Sequence, residues 1–390
     1  VSTQSTGKMK VYEDIFWVGA VDWSIRQFHG YNTEDGTTYN AYLLLDEHPT
    51  LIDSVKSPFR EEMFERISQI VDPARVEYIV MNHAEPDHSG ALPYLTQKMP
   101  NMKIVTRQLC ADFLQILHPG IDKSRYLIQN SLQTGRFSLN FVPVPLLHWP
   151  ESMFSYCPEK QLLFSNDGFG QHFSSSERFY DQCTNKGEVI RMLKEYTANI
   201  LGCCQKPLQK ALQNLSGLKI NTILTAHGVS WRGQDVQIPL QSYKEFAAGE
   251  NVKEKLSIVF FSINGENKRV ASHLAGATKI KAVQMIDLGV TNLTKCALEV
   301  FESRYVAFCS PVLRFQICPQ VEAAMHYLRG LKLLENRKVL LLNTYCWVQR
   351  AQEEMEKIVL EAGGEVVFKS ASKLRTDLEA LDIKIQAAGM

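Results

Sequence analysis

The stretch of residues 82–90 constrains this chain more than any other, because it places four metal-binding side chains within six residues. These side chains are His83, Glu85, Asp87 and His88. A β-branched apolar run at residues 76–81 predicts a buried strand just before the stretch, and residues 90–95 predict the first turn of a helix just after it. The four side chains are therefore expected in a tight loop at a strand end, where rigid neighbours hold site residues in place.

Two imidazoles and two carboxylates make a mixed set of nitrogen and oxygen ligands. Such a set suits iron, manganese or zinc, and it offers no thiolate for a soft metal ion. His83, Glu85 and Asp87 follow one another at intervals of two residues, so in an irregular loop they can face one cavity. The alternative interpretation is a polar loop exposed to solvent. A single histidine would favour that interpretation, but four potential ligands within six residues favour a metal site.

The composition narrows the class of protein. A chain of 390 residues is too long for a single core, so two domains are expected. Lys plus Arg and Asp plus Glu both number 42, and this balance does not indicate a nucleic-acid or membrane partner. The nine cysteines include no Cys-x-x-Cys pair, and residues 1–4 lack the features of a secretory signal. Both observations predict a cytoplasmic protein with reduced thiols.

Further ligand-type residues recur at the ends of other predicted strands. His148 follows a strand predicted at 139–144, Asp167 follows a hairpin predicted at 153–165, and His227 follows a strand predicted at 221–226. Ligands at four strand ends predict a site built across the edge of a β-sandwich. Other strand-like runs lie at 16–21, 38–46, 50–53 and 103–105, and helices are predicted at 58–70, 109–117 and 188–201.

A polar segment at residues 247–255 predicts a linker, and the pattern changes after it. Strands then alternate with helices, which predicts a doubly wound parallel sheet with ligands beyond the carboxyl ends of its strands. Three loops emerge there, at 262–267, 310–313 and 344–347. The predicted strands are 256–261, 282–287, 305–309, 338–343 and 365–369, and helices are predicted to begin near residues 268, 292, 319, 349 and 375.

With these motifs, nearly the whole chain resembles the flavodiiron proteins, also called A-type flavoproteins. Residues 1–250 resemble their metallo-β-lactamase-like diiron domain, an αββα sandwich, and residues 251–390 resemble their flavodoxin-like FMN domain. Hydrolases with the metallo-β-lactamase fold have His-x-His-x-Asp-His, whereas Glu85 stands here in place of the second histidine, as it does in flavodiiron proteins. A carboxylate at that position favours iron that changes oxidation state.

The resemblance implies two irons per chain and a residue beside them. Tyr196 resembles a catalytic tyrosine next to the diiron pocket, and the alternative is a tyrosine packed on a helix face. In some members of the family, the histidine that corresponds to His88 turns away from the metal. The implied ligands are His83, Glu85 and His148 for one iron, Asp87, His88 and His227 for the other, and Asp167 as the bridge.

The resemblance also implies FMN in the three loops of the second domain, but these loops depart from the family pattern. Asn264 and Asn267 replace expected phosphate partners, Val312 replaces a hydroxyl residue, and Cys346 stands at a usual glycine. Glu266 adds a negative charge beside the phosphate, which Lys268 or Arg269 could offset, so weaker FMN binding is expected. The implied flavin contacts are Ser262, Ile263, Asn264, Gly265, Asn267, Ser310, Pro311, Val312, Tyr345 and Trp347.

The implied function is that of a soluble oxidoreductase. Electrons would pass from a rubredoxin-like or flavin-reductase donor through FMN to two irons, where O2 is reduced to water, NO to N2O, or both. A head-to-tail homodimer or tetramer is implied, and the donor is expected to be a separate protein because no extension follows Met390. Two alternatives remain open: a dizinc hydrolase of the same fold, and a flavin-poor partner in a flavodiiron heteromer.

Overall fold

The computed structural model describes residues 9–12 and 14–387, which divide into two compact units. The first unit contains the described residues up to Phe28, together with Thr33–Tyr196 and Cys204–Ala247. The second contains His29–Asn32, Thr197–Cys203 and the described residues from Ala248 onward. The predictions for residues 1–4 and for the end of the chain at Met390 lie outside the described residues. Across the described ranges, no helix has both the length and the apolar character needed to span a bilayer.

The first part of the chain is rich in short strands. They are β1 (Met9–Tyr12), β2 (Ile15–Trp17), β3 (Ala20–Asp22), β4 (Gln27–Phe28), β5 (Tyr31–Asn32), β6 (Thr37–Tyr39), β7 (Tyr42–Leu44), β8 (Thr50–Ile52), β9 (Tyr78–Val80), β10 (Lys103–Thr106), β11 (Tyr126–Ile128), β12 (Ser131–Gln133), β13 (Ser138–Pro143), β14 (Met153–Cys157), β15 (Leu162–Asn166), β16 (Thr222–Thr225) and β17 (Trp231–Arg232). Two mixed sheets result, in the orders β1-β2-β7-β8-β9-β10-β11 and β12-β13-β14-β15-β16-β17.

The helices of the same part of the chain lie between these strands. They are α1 (Arg60–Ile70), α2 (Pro86–Ser89), α3 (Leu92–Lys98), α4 (Gln108–Leu117), α5 (Lys186–Tyr196), α6 (Gln205–Leu215) and α7 (Gln237–Ala248). The predicted helix at 188–201 is divided, because α5 ends at Tyr196 and a π-helical turn, Thr197–Leu201, follows it. Helices α6 and α7 were not predicted. In α6, Leu208, Ala211 and Leu215 are buried, and their spacing of three and four residues is a helical pattern that could have predicted it.

The first sheet is covered on both faces, which explains why its strands are mainly apolar. Leu43 and Leu51 lie in the core that the sheet shares with α1, α3 and α4. Their neighbours Tyr42, Leu44 and Ile52 lie in the core between the two sheets. Successive side chains of a strand point to opposite faces, so each strand contributes to both cores. The predicted β-sandwich is therefore present, with helices packed on its outer face.

Two predicted strands are each divided in the structure. The run at 16–21 is broken at Gly19 into β2 and β3, and the run at 38–46 is broken near Asn40 into β6 and β7. At Gly19, a Cβ atom would lie 2.2 Å from the carbonyl oxygen of Tyr39, so only glycine allows this approach. The Asn40 backbone N–H donates to the Ala226 carbonyl oxygen at 2.7 Å instead of pairing in a sheet, and its side-chain amide donates to the carbonyl oxygens of Thr225 and Gly228 at 2.9 Å each. Long-range contacts therefore interrupt both runs.

The second unit contains the predicted parallel sheet. Its strands are β18 (Lys253–Phe260), β19 (Ala282–Asp287), β20 (Ser303–Leu313), β21 (Gln316–Ile317), β22 (Lys338–Tyr345) and β23 (Glu365–Lys373). Five of these strands pair in parallel in the order β19-β18-β20-β22-β23, and β21 pairs antiparallel with β20. The connecting helices are α8 (Glu266–Ala277), α9 (Leu293–Phe301), α10 (Pro319–Gly330), α11 (Ala351–Glu361) and α12 (Leu378–Ala387).

Candidate metal centre

Seven candidate ligands converge at one edge of the sandwich. The stretch at 82–90 leaves β9 and forms the short helix α2, so part of the predicted loop is helical. Asp167 directly follows β15, His227 lies just past β16, and His148 lies in the connection between β13 and β14. The side chains of His83, Asp87, His88, Asp167 and His227 are buried, and those of Glu85 and His148 are nearly so. The placement predicted from strand ends is therefore present in the structure.

The candidate ligands form two groups. Within each group, the potential ligand atoms lie no more than 4.8 Å from one another. His83 Nε2 and His148 Nε2 each lie 3.2 Å from Glu85 Oε2 in the first group. His88 Nε2 and His227 Nε2 lie 3.2 and 3.1 Å from Asp87 Oδ2 in the second. The groups are His83, Glu85, His148 and Asp167, and Asp87, His88 and His227.

Asp167 lies between the two groups and presents one carboxylate oxygen to each. Its Oδ2 atom lies 3.6 Å from His83 Nε2 and 3.5 Å from His148 Nε2. Its Oδ1 atom lies 3.1 Å from His88 Nε2 and 3.3 Å from His227 Nε2. A carboxylate in this position can contribute an oxygen to each of two neighbouring cations.

These distances fit two metal ions. Two ligand atoms bound to one ion at about 2.0–2.2 Å, with angles of about 90–110°, lie about 2.8–3.6 Å apart. Among the described residues, the buried atoms His88 Nε2, His227 Nε2 and Asp167 Oδ2 make no hydrogen bond, although each has a neighbour of opposite polarity within 3.6 Å. Buried imidazole nitrogens and carboxylate oxygens at such distances suit coordination of a metal ion.

The carboxylates make the centre strongly anionic. Burial lowers the pKa of His148 and His227, but the facing carboxylates outweigh burial and raise these pKa values to about 9 and about 10. Burial raises the pKa of Asp167, yet the surrounding histidines, His88 first among them, hold it well below its usual range. The field that raises the histidine pKa values also attracts divalent cations.

Tyr196, the predicted catalytic residue, lies at the C-terminal end of α5 and contacts this centre. Its hydroxyl donates a hydrogen bond to Asp167 Oδ1 at 3.1 Å, and its side chain is buried. The ring of His172 packs edge-on against it at 5.0 Å. The hydroxyl is therefore directed at the central carboxylate, which packing on a helix face alone would not require.

The sequence did not predict the residues that form hydrogen bonds to the candidate ligands or to their neighbours in the chain. Asp53 accepts hydrogen bonds from the backbone and side chain of Asn82 and from Asn166, which precede His83 and Asp167 in the chain. Glu151 Oε1 lies 2.6 Å from His83 Nδ1 and also accepts from the Ala84 backbone. The only sequence signal for Asp53 was a carboxylate at the end of an apolar strand, and the only one for Glu151 was its place three residues after His148.

In the second unit, the three predicted loops line a cleft with a volume of about 200 Å³. Of the predicted contacts, Ile263, Asn264, Pro311, Val312, Tyr345 and Trp347 line the cleft, as does Cys346. The other four, Ser262, Gly265, Asn267 and Ser310, do not. Ser310 is buried, and its hydroxyl donates to the Pro311 carbonyl oxygen and accepts from the Cys318 backbone.

The start of α8 provides groups that suit a phosphate. Gly265 caps the helix with a φ of 85°, a conformation that glycine adopts without strain. The Ser262 hydroxyl oxygen is shielded from solvent and has no hydrogen-bond partner within the described ranges. Helix N-termini with free donors bind phosphate groups, so these residues fit the phosphate of FMN.

The prediction that Glu266 opposes this phosphate requires a correction. The Glu266 carboxylate accepts hydrogen bonds from Arg269 Nη2 and from the Thr376 backbone, both at 2.7 Å. The hydrogen bond from Arg269 is the main cause that lowers the Glu266 pKa to about 2. The negative charge is therefore compensated by Arg269, one of the two residues considered for this role, and its repulsion of a phosphate is reduced.

Comparison with known proteins identifies the family. Residues 37–228 match the family model described as "ODP family beta lactamase". A nitric oxide reductase of Moorella thermoacetica is 35% identical over 368 residues, which are 92% of this chain and 90% of that protein. The crystal structure of the flavodiiron protein from Giardia intestinalis has 37% identity and a TM-score of 0.93, covering 100% of this chain and 97% of that one. The chain belongs to the flavodiiron protein family.

Another structure supports the same flavodiiron fold. The rubredoxin oxygen:oxidoreductase of Desulfovibrio gigas has 28% identity and a TM-score of 0.91, covering 98% of this chain and 99% of that one. The predicted fold class is confirmed: an αββα metallo-β-lactamase-like sandwich followed by a flavodoxin-like doubly wound sheet. Membership of the flavodiiron family decides against the dizinc hydrolase as the interpretation of this fold.

Proposed function

We propose that this flavodiiron protein is an oxidoreductase that reduces O2 to water, NO to N2O, or both, with electrons relayed through FMN to two irons. The names of the Moorella and Desulfovibrio relatives, a nitric oxide reductase and a rubredoxin oxygen:oxidoreductase, support this reaction class. The observation that carries the proposal is Asp167, which presents one oxygen to each of two histidine groups.

The donor set supports iron at both positions. His83, Glu85 and His148 would hold one ion, Asp87, His88 and His227 the other, and Asp167 would bridge them. Glu85 in place of a histidine adds an anionic oxygen, which stabilises the more highly charged ferric state. Two irons held here would supply electrons and two adjacent sites for a diatomic gas.

The chain's own residues would supply orientation and protons. Both gas reductions consume protons, and the Tyr196 hydroxyl is a proton donor already directed at Asp167 Oδ1. The buried ligand side chains exclude bulk water from the centre. Exclusion of water strengthens the interactions between the carboxylates and the ions they hold.

FMN would bind in the cleft of the second unit. The flavin ring would lie against Tyr345 and Trp347, and the phosphate would lie at the start of α8 near Ser262. Exposed apolar side chains at the cleft, including Ile263 and Phe315, suit the flat face of a flavin. The altered loop residues Asn264, Val312 and Cys346 are the reason to measure FMN occupancy directly.

Further parts of the proposal concern organisation. We place the boundary between a diiron domain and an FMN domain at residues 250–251, close to the division between the two compact units. The electron donor would be a rubredoxin-like protein or a flavin reductase, in the cytoplasm. A head-to-tail homodimer or tetramer would bring the flavin of one chain near the irons of another.

A single-turnover experiment tests the proposal without the flavin. Protein freed of FMN and loaded with iron is reduced chemically and mixed in a stopped-flow instrument with O2, and separately with NO. We expect rapid oxidation by at least one gas, because the electrons are already on the metals. The same protein loaded with zinc is the matched control and should not react, since zinc has no accessible redox change.

The outcome separates the alternatives that the sequence left open. Oxidation by either gas, with donor-driven turnover restored by added FMN, supports the reductase. Oxidation without any FMN binding would favour the flavin-poor partner of a heteromer. If the iron-loaded protein reacts with neither gas, the proposed function is wrong.

A further inference from the structure

The histidines of the metal centre differ in the group that their Nδ1 atom contacts, on the side of the ring away from the candidate metal position. His83 Nδ1 lies 2.6 Å from Glu151 Oε1, and both side chains are shielded from solvent. His227 Nδ1 lies 2.7 Å from the backbone carbonyl oxygen of Thr38. His88 Nδ1 faces the side-chain amide of Asn166 at 3.3 Å. A carboxylate therefore backs a histidine of the first group, whereas neutral groups back both histidines of the second.

The partner of Nδ1 controls how strongly Nε2 donates electrons to a metal. A carboxylate polarises the Nδ1–H bond and gives the ring imidazolate character, which a neutral carbonyl oxygen does to a smaller degree. Electron donation stabilises a ferric ion more than a ferrous ion. The position held by His83 is therefore more electron-rich than the position held by His88 and His227.

The negative charge of the Glu151 carboxylate acts mainly on the His83 ring. Its Oε1 atom accepts from Ala84 as well as facing His83. Its Oε2 atom has no hydrogen-bond partner among the residues that the structure describes. Few other donors share the negative charge, so its effect falls mainly on the His83 ring.

The surrounding packing holds His83 even apart from this charge. The Trp149 ring meets the His83 ring edge-on, with centroids 5.0 Å apart and planes at 84°. The Met153 backbone donates to the Asn82 carbonyl oxygen at 3.0 Å, and this bond ties β14 to the residue before His83. A glutamine at position 151 can keep the same shape and still accept at Oε1, so charge and geometry can be tested separately.

We propose that Glu151 acts as a positioning residue that makes the two iron positions unequal, so that the iron held by His83, Glu85 and His148 is oxidised before the other. The inference rests on the proposed diiron function and deepens it. The His83 ring, made more electron-rich by Glu151, would favour the ferric state of an iron held there, so an added oxidant would take its first electron from that position and the next from the other.

The experiment measures the two potentials of the iron-loaded protein, with ferricyanide as a one-electron oxidant and Mössbauer spectra of ⁵⁷Fe at each stage. Glu151→Gln should keep both irons but shift the ferric/ferrous equilibrium of the more easily oxidised iron about tenfold toward ferrous, which corresponds to about 59 mV. The other potential should stay unchanged. Glu151→Ala, which removes the acceptor as well, should weaken metal binding at one position about 10–100-fold.

Glu159→Gln is the matched control, because it makes the same chemical change at a carboxylate that accepts from Ser138 instead of facing a histidine. It should leave both potentials at their original values. The inference is overturned if Glu151→Gln leaves both potentials unchanged, shifts both equally, or releases both metals to the same extent. Potentials and metal content are measured without O2 or NO, so a protein that reacts with neither gas would refute the proposed function and not this inference.

Discussion

Asp53 provides the sharpest test of how the metal-binding stretch is held in place. Its buried carboxylate accepts from the Asn82 backbone at 2.8 Å, from Asn82 Nδ2 at 2.9 Å and from Asn166 Nδ2 at 3.1 Å. Asp53→Asn replaces one acceptor oxygen by an NH2 group. The remaining oxygen can accept two of the three bonds, so one buried donor and the new NH2 group lose their partners.

The size of the effect follows from these two groups. Each buried polar group left without a partner costs about 1–3 kcal/mol, so the sum is about 2–6 kcal/mol. The variant no longer buries a charge, so we expect the lower part of this range, about 2–4 kcal/mol. Backbone strain should not change, because Asp53 has a φ of 55° and asparagine also tolerates this region.

Urea unfolding followed by tryptophan fluorescence measures the effect. Four of the five tryptophans, Trp17, Trp23, Trp149 and Trp231, belong to the first unit, so the signal reports mainly on it. Excess chelator removes the contribution of metal binding to stability. With a slope of about 3 kcal/mol per M, the midpoint of Asp53→Asn should fall by about 0.7–1.3 M.

Asp122→Asn is the matched control, since this exposed carboxylate accepts from Ser124 in a local turn. Its midpoint should stay within about 0.2 M of the original, as surface substitutions change stability by about 0.5 kcal/mol or less. Equal midpoints for the two variants would show that the Asp53 hydrogen bonds do not stabilise the first unit.

Three further predictions concern the metals and the flavin site. Asp167→Ala should lower the metal content at both positions, because its two oxygens face both groups; two metals retained per chain by mass spectrometry would refute the bridge. Arg269→Gln should weaken FMN binding in a fluorescence titration, since an uncompensated Glu266 at about 5 Å repels a phosphate charge by about 3 kcal/mol at an effective dielectric of 20. Adding Glu266→Gln should restore affinity, and an unrestored double variant would contradict the electrostatic account. The pKa of Glu266 is lowered from its ordinary value of 4.5 to about 2. The ionised carboxylate therefore stabilises the fold above pH 4.5, and this stabilisation is lost as the pH falls toward 2. The difference in melting temperature between the protein and Glu266→Gln should shrink over that pH interval.

The local sequence pattern was sufficient to predict those strands and helices whose structure depends on burial alone. Strand β19 (Ala282–Asp287) was predicted with its observed bounds, and the hairpin of β14 and β15 was predicted within one residue of each end. Apolar periodicity and turn residues encode such elements within a few neighbouring positions. The seven candidate ligands could be recognised for the same reason, since each follows an apolar strand and carries a metal-binding group.

Tertiary contacts decided the remaining features, because their partners are distant in the chain. The division of two predicted strands depends on the approach of Gly19 to Tyr39 and on the bonds from Asn40 to Thr225 and Gly228. No local pattern specifies such contacts, since they form only when the two sheets have packed together.

In the metal centre, too, some features follow from the sequence and others only from the tertiary structure. By itself, the sequence determined which residue types could bind metal, that Glu85 replaces a histidine, and that two domains follow each other. Only the folded chain decided that Asp167 presents one oxygen to each group, that Glu151 backs His83 from 68 positions away, and that Thr376 and Arg269 compensate Glu266. The sequence specifies the identity of each side chain, whereas the distance and direction between two side chains depend on every element packed between them.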